Sequence, residues 1–176
     1  GRKERQSIKD DVMMELLPRA FARSSLQFAY IAVKKGYIVI NAASASKAEE
    51  LLAALRDVVG SLPVIPLLSK QLPHQMMTEW VNQGSTPERF ILGDECELAD
   101  PKEVSSVIRC KHQDLASAEI NSLLQSGMIV TKLGLQWRQG VDFILDDQLA
   151  IKRLRFEDDI QEKANQNQRE RILSYS

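Results

Sequence analysis

The spacing of apolar positions changes several times along the chain, and each change marks a predicted element. Over Ile8–Leu17 the apolar residues have helical spacing, and Pro18 ends this helical arm. From Ser24 the spacing becomes two, which predicts a strand, and Lys34-Lys35-Gly36 predicts the tight turn into a returning strand, Tyr37–Asn41. Both strands are apolar on both faces, so we expect them to be covered on each side.

A helix, a short strand and a second helix are predicted next. Ser46-Lys47-Ala48-Glu49 has the form of a capping box, and Gly60 closes the helix that it opens. Leu62–Leu67 predicts a strand, which its two prolines confine to a sheet edge. The second helix runs from about Pro73 to Gln83, with a methionine and tryptophan stripe that is typical of a core-facing side.

The second half predicts the same order of strand, strand, helix and strand. The predicted elements are strands near Arg89–Leu98 and Val104–Lys111, a helix at Ala116–Ser126 capped by Asp114 or Ser117, strands at Ile129–Trp137, Val141–Leu145 and Leu149–Phe156, and a helical tail from Glu157. We therefore predict an α+β (mixed α/β) fold with mainly antiparallel sheets flanked by helices. The predicted domains are a helical arm and contact turn (1–22), a first unit (23–88) and a second unit (89–176).

Composition and charge narrow the class of protein. The 176 residues are 44% hydrophobic and 27% charged, which is ordinary for a soluble globular protein, and no apolar run has membrane-spanning length. We therefore expect a cytoplasmic protein. A net charge of −1 excludes a histone-like basic protein, so any DNA binding requires local segregation of the 23 Lys and Arg.

Catalytic and metal-binding patterns are weak. The glycines are scattered singly rather than grouped in a phosphate loop, and neither His74 nor His112 has a companion motif. Cys96, Cys110 and His112 fall short of the four ligands of a structural zinc site, so we predict free thiols, no metal and no cofactor.

The acidic residues allow a specific nuclease test. Asp146 and Asp147 lie at a predicted hairpin tip, and Lys152 follows. One common metal-dependent nuclease core requires a carboxylate two residues before its lysine, and Ala150 occupies that position. The sequence therefore predicts no catalytic residue and no enzyme, with a metal-dependent nuclease kept as an alternative.

Basic residues on the later strands are the candidate chemistry that remains. Each alone is most simply a solvated surface charge. Gathered on one sheet surface, they would bind phosphates without reading bases. The residues concerned are Arg109, Lys111, Lys132, Arg138, Lys152, Arg153 and Arg155.

The turn after the helical arm holds one large apolar ring between two cations. Phe21 lies between Arg19 and Arg23, three residues after Pro18. A large apolar residue is usually buried in its own core, whereas an aromatic ring beside arginine is also typical of a partner contact. The residues alone leave both interpretations open.

A resemblance to a known family changes this balance. It is carried by ordered blocks over about Ser7 to Phe156: Leu16-Leu17-Pro18-Arg19-Ala20-Phe21-Ala22-Arg23, Ala42-Ala43-Ser44-Ala45 with Lys47-Ala48-Glu49, Gly60-Ser61-Leu62-Pro63-Val64, Thr78-Glu79-Trp80-Val81, Val107-Ile108-Arg109, Gln113-Asp114-Leu115, Val130-Thr131-Lys132-Leu133 and Lys152-Arg153-Leu154. In this order the blocks resemble the RdgC family of bacterial recombination-associated proteins. Family members extend further at both ends, so we expect the chain to be a fragment.

The resemblance implies a homodimer that closes into a ring around duplex DNA, binds without sequence preference and restrains RecA-mediated strand exchange in the nucleoid. It places a basic residue and a glutamine of the family at His112 and Gln113; since histidine is mostly neutral at neutral pH, Lys111 is the candidate replacement. A protein-interaction module without DNA binding is the other alternative. The predicted dimer contacts are Pro18, Phe21 and Arg23, and the predicted DNA-binding residues are Arg19, Arg109, Lys111, His112, Gln113, Lys132, Arg138 and Lys152.

Overall fold

The computed structural model describes residues 1–21, 24–138 and 140–173. They form an α+β fold with antiparallel sheets, as predicted, and the chain divides into two compact units, residues 1–65 and 66–176. None of the described helices is both long and apolar enough to cross a membrane. The elements are α1 (Arg2–Leu16), β1 (Phe28–Ala32), β2 (Tyr37–Asn41), α2 (Ala45–Val59), α3 (Pro73–Gln83), β3 (Phe90–Asp100), β4 (Glu103–Cys110), α4 (Ala118–Gln125), β5 (Ile129–Trp137), β6 (Val141–Asp146), β7 (Ile151–Phe156) and α5 (Asp158–Leu173).

The first unit consists of α1, the β1–β2 hairpin and α2. The helical arm ends as predicted, because Pro18 lies in a short 3₁₀ turn directly after α1. The hairpin turn is also confirmed: Gly36 has a φ of 71°, a left-handed conformation that glycine adopts without steric cost. The expectation that both strands are covered is wrong for the described chain, since Phe28 and Tyr30 are exposed and Ala32 is the strands' one buried residue.

Two local predictions in this region are also wrong. The N-cap of α2 is Ser44 rather than Ser46: its extended backbone lets its hydroxyl accept a hydrogen bond from the Lys47 amide, so the helix begins before the predicted capping box. Leu62–Leu67 forms no strand. Pro63 and Pro66 supply no amide donors there, so the first half lacks the last strand of the expected repeat.

The second unit is a five-stranded antiparallel sheet in the order β4-β3-β5-β6-β7. Helix α3 has its predicted bounds, with Pro73 in its first turn, and α4 is capped by Ser117 rather than Asp114. Thr78 ties α3 to the sheet, because its hydroxyl accepts a hydrogen bond from the Val130 amide at 2.9 Å. One face of the sheet and these helices enclose the core: Met77, Val81, Cys96, Leu98, Cys110, Leu115, Ile120, Met128, Val130, Leu133 and Leu135.

Irregularities in β3 and β5 set the register of this sheet. Leu92 faces Leu135 and Cys96 faces Leu133, so three residues of β3 lie opposite Gly134 alone. A Cβ added at Gly134 would lie 2.9 Å from Glu95 Cγ and 3.1 Å from the Glu95 carbonyl oxygen, so a side chain there would have to displace Glu95. The bulge at 93–95 therefore depends on glycine at position 134.

Candidate nucleic-acid interface

Charged side chains occupy the face of the five-stranded sheet that is opposite the helices. Glu97 lies between the buried Cys96 and Leu98, and Lys132 precedes the buried Leu133. Because side chains alternate along a strand, Glu97 and Lys132 leave the other face of the sheet. We call this surface the open face.

A row of alternating charges crosses the open face, one residue from each strand. Glu97 on β3 is the register partner of Arg109 on β4 and of Lys132 on β5, and Lys132 is the partner of Asp146 on β6. Lys152 on β7 completes the row through an ion pair with Asp146 at 2.7 Å. We call this row of five residues the charge ladder.

Glu97 is the acceptor for two of the ladder's cations. Arg109 Nε donates to its Oε2 at 2.8 Å, and Lys132 Nζ donates to its Oε1 at 2.7 Å. Burial by itself raises the pKa of the Glu97 carboxyl, but the hydrogen bonds from Lys132 and Arg109 outweigh it and hold that pKa below its ordinary value. Glu97 is therefore ionised at neutral pH and neutralises part of the positive charge on this face.

Asp146 is the second acidic member of the ladder and is only 5% exposed. Its Oδ1 accepts backbone hydrogen bonds from Gln148 at 3.0 Å and Ala150 at 2.8 Å, and Oδ2 pairs with Lys152. Burial raises its pKa, but the Lys152 and backbone hydrogen bonds lower it further, so the net pKa lies below the ordinary value. Asp146 thus holds the turn between β6 and β7.

A cleft of about 1020 Å³ lies beside the ladder. The β3 bulge, the turn at 111–116 and the last two strands line it, and a smaller cavity of about 360 Å³ over the ladder shares several of its lining residues. His112 stands at this cleft with a φ of 53°, and its Nδ1 lies 2.9 Å from Asp94 Oδ2. Arg153 pairs with Glu95 across the same cleft.

The structure brings most of the predicted DNA-binding residues together. Arg138 lies in the turn after β5, away from the two cavities, and Arg19 belongs to the first unit. The residues that line the two cavities are Arg109, Lys111, His112, Gln113, Lys132 and Lys152.

The predicted dimer contacts belong to the first unit. Phe21 is fully exposed and Pro18 is exposed, so the interpretation that Phe21 packs into its own core is wrong for the described chain. Arg23 lies outside the described residues. An exposed aromatic ring is available for a partner, and its role as a dimer contact stays a prediction.

The carboxylates that pair with the predicted cations were not among the residues predicted from the sequence. Glu95 and Glu97 flank Cys96 with a spacing of two, which was a signal that both could share a face away from the core. Which cation each one meets depends on the register between strands, and that register follows from the bulges. Among the described residues, no group of three or more His, Cys, Asp or Glu side chains is placed to hold a metal ion.

Comparisons with known proteins agree with the resemblance. The family model described as "Putative exonuclease, RdgC" matches residues 1–174. Curated relatives called "Recombination-associated protein RdgC" include those of Pseudomonas fluorescens Pf0-1 (50% identical over 94% of this chain and 54% of the relative) and Pseudomonas syringae pv. tomato DC3000 (46% over 98% and 56%). The chain thus spans about half the length of the curated relatives it matches.

Proposed function

Since the chain belongs to the RdgC family, we propose that it acts in recombination by binding double-stranded DNA without sequence preference, through the open face of its five-stranded sheet. The observation that carries this proposal is the gathering of basic side chains from three separate strands onto one face. Contacts to phosphates position a protein on DNA without reading its sequence. No recognition helix occurs among the residues that line this face.

The dimensions of the face suit a phosphate backbone. Five strands separated by about 4.8 Å give a row about 19 Å long. Because successive phosphates of one DNA strand rise about 3.4 Å along the helix axis, a row of this length can face several phosphates. Arg109 is 67% exposed at one side of the row, so its guanidinium is accessible to a phosphate. Lys111 makes no ion pair with the described residues, so its charge is available to a phosphate.

We also propose that the protein acts as a homodimeric ring around duplex DNA in the cytoplasm, associated with the nucleoid, and opposes RecA. The family membership supports this part, and the full exposure of Phe21 is consistent with a contact between copies. In this proposal Pro18 and Arg23 lie beside Phe21 at the dimer contact, and Arg19 and Arg138 extend the DNA contacts beyond the open face.

A binding role without catalysis is proposed in preference to the exonuclease activity in the family model's description. Both oxygens of Asp146 already accept hydrogen bonds from the protein. A metal ion bound there would have to replace the Lys152 ion pair, and Ala150 offers no carboxylate next to it.

A titration of fluorescent linear duplex DNA at several salt concentrations tests the proposal. We expect affinity to fall steeply with salt, and Lys111→Gln to reduce the slope of log K against log salt by about 0.9, the loss of one phosphate contact. Lys102→Gln, which removes a lysine from the β3–β4 turn outside both cavities, is the matched control and should leave the slope unchanged.

The same samples separate the alternatives. Absence of DNA binding would favour the protein-interaction module, and a strong preference for one sequence over scrambled DNA would contradict phosphate-only contact. Incubation of the duplex with Mg²⁺ or Mn²⁺ should leave it intact. Cleavage that survives repurification and is lost in Asp147→Asn would instead support the nuclease.

A further inference from the structure

We propose that Glu97 is the residue that limits how tightly the open face binds DNA, because it holds Arg109 and Lys132 in ion pairs that a phosphate must compete with. This inference rests on the proposed DNA binding and adds a restraint built into the same face. It assigns opposite roles to neighbouring residues of the charge ladder. The cations attract phosphates, whereas the carboxylate holds those cations in ion pairs.

The geometry of the three side chains carries the inference. The Glu97 side chain is 14% exposed, whereas Arg109 and Lys132 are 67% and 37% exposed. The carboxylate therefore lies beneath the two cations, next to the sheet, and both cations turn back toward it at 2.8 and 2.7 Å. Thr131 Oγ1 also donates to the Glu97 backbone carbonyl, so the residue is fixed from a third side.

The charge of Glu97 indicates that it restrains phosphate binding and does not merely position the two cations. A phosphate that approaches Arg109 and Lys132 meets two positive charges and the negative charge of Glu97, so the net attraction is that of one cation. A neutral residue in place of Glu97 would leave both cations free to turn outward. Each additional phosphate contact steepens the salt dependence of binding by about 0.9.

The position of Glu97 explains why one residue can affect two cations. Its register partners are Arg109 on one neighbouring strand and Lys132 on the other, so a single side chain in a central strand reaches both. Asp146 lies next along the ladder but is committed to Lys152 and to its own turn. Among the ladder's carboxylates, Glu97 is thus the one whose removal frees cations without breaking a turn.

The experiment is the salt titration of duplex DNA with Glu97→Gln, which keeps the shape of the side chain and removes its charge. We expect binding about tenfold tighter at about 0.1 M salt and a slope steeper by about 0.9 to 1.8, for one or two added phosphate contacts. Glu119→Gln in α4, on the helix-covered side, removes the same charge and is the matched control. It should change affinity far less.

A second pair of variants provides a further test, and its first comparison does not require Glu97→Gln. In the otherwise unchanged chain, Lys132→Gln should weaken DNA binding less than Lys111→Gln does, because Lys132 is already paired and Lys111 is not. In the Glu97→Gln background, Lys132→Gln should cost clearly more than it does alone. Equal losses for both lysines, and for Lys132→Gln in both backgrounds, would overturn the restraint.

The outcomes also separate this inference from the proposed function. Weaker binding by Glu97→Gln would mean that the carboxylate positions the cations for phosphate and would overturn the restraint. An unchanged affinity, together with salt-dependent binding that Lys111→Gln weakens, would overturn the inference and leave the function standing. If the unchanged chain binds no DNA at any salt concentration, both fall together.

Discussion

Replacement of Asp146 separates the two tasks of its carboxylate. Asp146→Ala removes the acceptor of the Gln148 and Ala150 amides and the partner of Lys152. Asp146→Asn keeps an oxygen that can accept the two backbone hydrogen bonds but removes the negative charge. The pair of variants therefore compares the turn contacts with the ion pair.

The magnitudes follow from these contacts. Each backbone hydrogen bond contributes about 1 kcal/mol net, since water can reach the exposed residues 148 and 150 once the acceptor is gone. The pair with the half-exposed Lys152 contributes at most about 1 kcal/mol because solvent screens it. We therefore expect Asp146→Ala to lower the free energy of unfolding by about 3 kcal/mol and Asp146→Asn by about 1 kcal/mol.

Urea unfolding followed by tryptophan fluorescence measures both effects, and Trp80 and Trp137 both report on the second unit. Because the pKa of Asp146 is lowered on folding, its charge stabilises the fold fully above the ordinary aspartate value of about 3.9. The contribution is lost as the pH falls through the lower folded value, so the difference from Asp146→Asn should shrink there. Equal losses for the two variants, or a difference that grows with acid, would refute this account.

Two further predictions concern the first unit and the core. Phe21→Ala should leave the unfolding transition unchanged, because the ring is fully exposed. If the ring is a dimer contact, self-association measured by sedimentation should weaken. A decrease in the free energy of unfolding near the ~3–5 kcal/mol of a core truncation would contradict the exposure. Cys96 should resist thiol reagents in the native protein and react on unfolding in urea, since burial and the neighbouring Cys110 thiol raise its pKa to about 12; rapid labelling without urea would contradict the burial.

The sequence predicted elements best where local signals and burial agree. Helix α3 has its predicted bounds because Pro73 favours a helix start, Gly84 takes a left-handed φ of 61° after its end, and Met77 and Val81 face the core. The cap of α2 was misplaced because Ser44 and Ser46 offer the same chemistry two residues apart. The β1–β2 hairpin was expected to be covered because both of its faces are apolar. An apolar pattern, however, does not show which segment would cover those faces.

The candidate site was predictable in its cations but not in its ion pairs. Alternation along a strand is enough to place Arg109 and Lys132 away from the core. Their common partner depends on an extra residue in β5, Thr131, which shifts the register between Glu97 and Leu98. A shift of one residue moves a side chain to the other face, so the sequence pattern could not identify Glu97 as the shared acceptor.

The alternation of the charge ladder also has a consequence for how DNA arrives. Three cations and two carboxylates in one row leave the net charge of a single cation at a distance, and its potential is screened over a Debye length of about 8 to 10 Å. Diffusing DNA is guided by strong long-range fields of one sign, and this row produces only a weak one. In the proposed DNA binding, the ladder therefore affects the dissociation rate of bound DNA more than its rate of encounter.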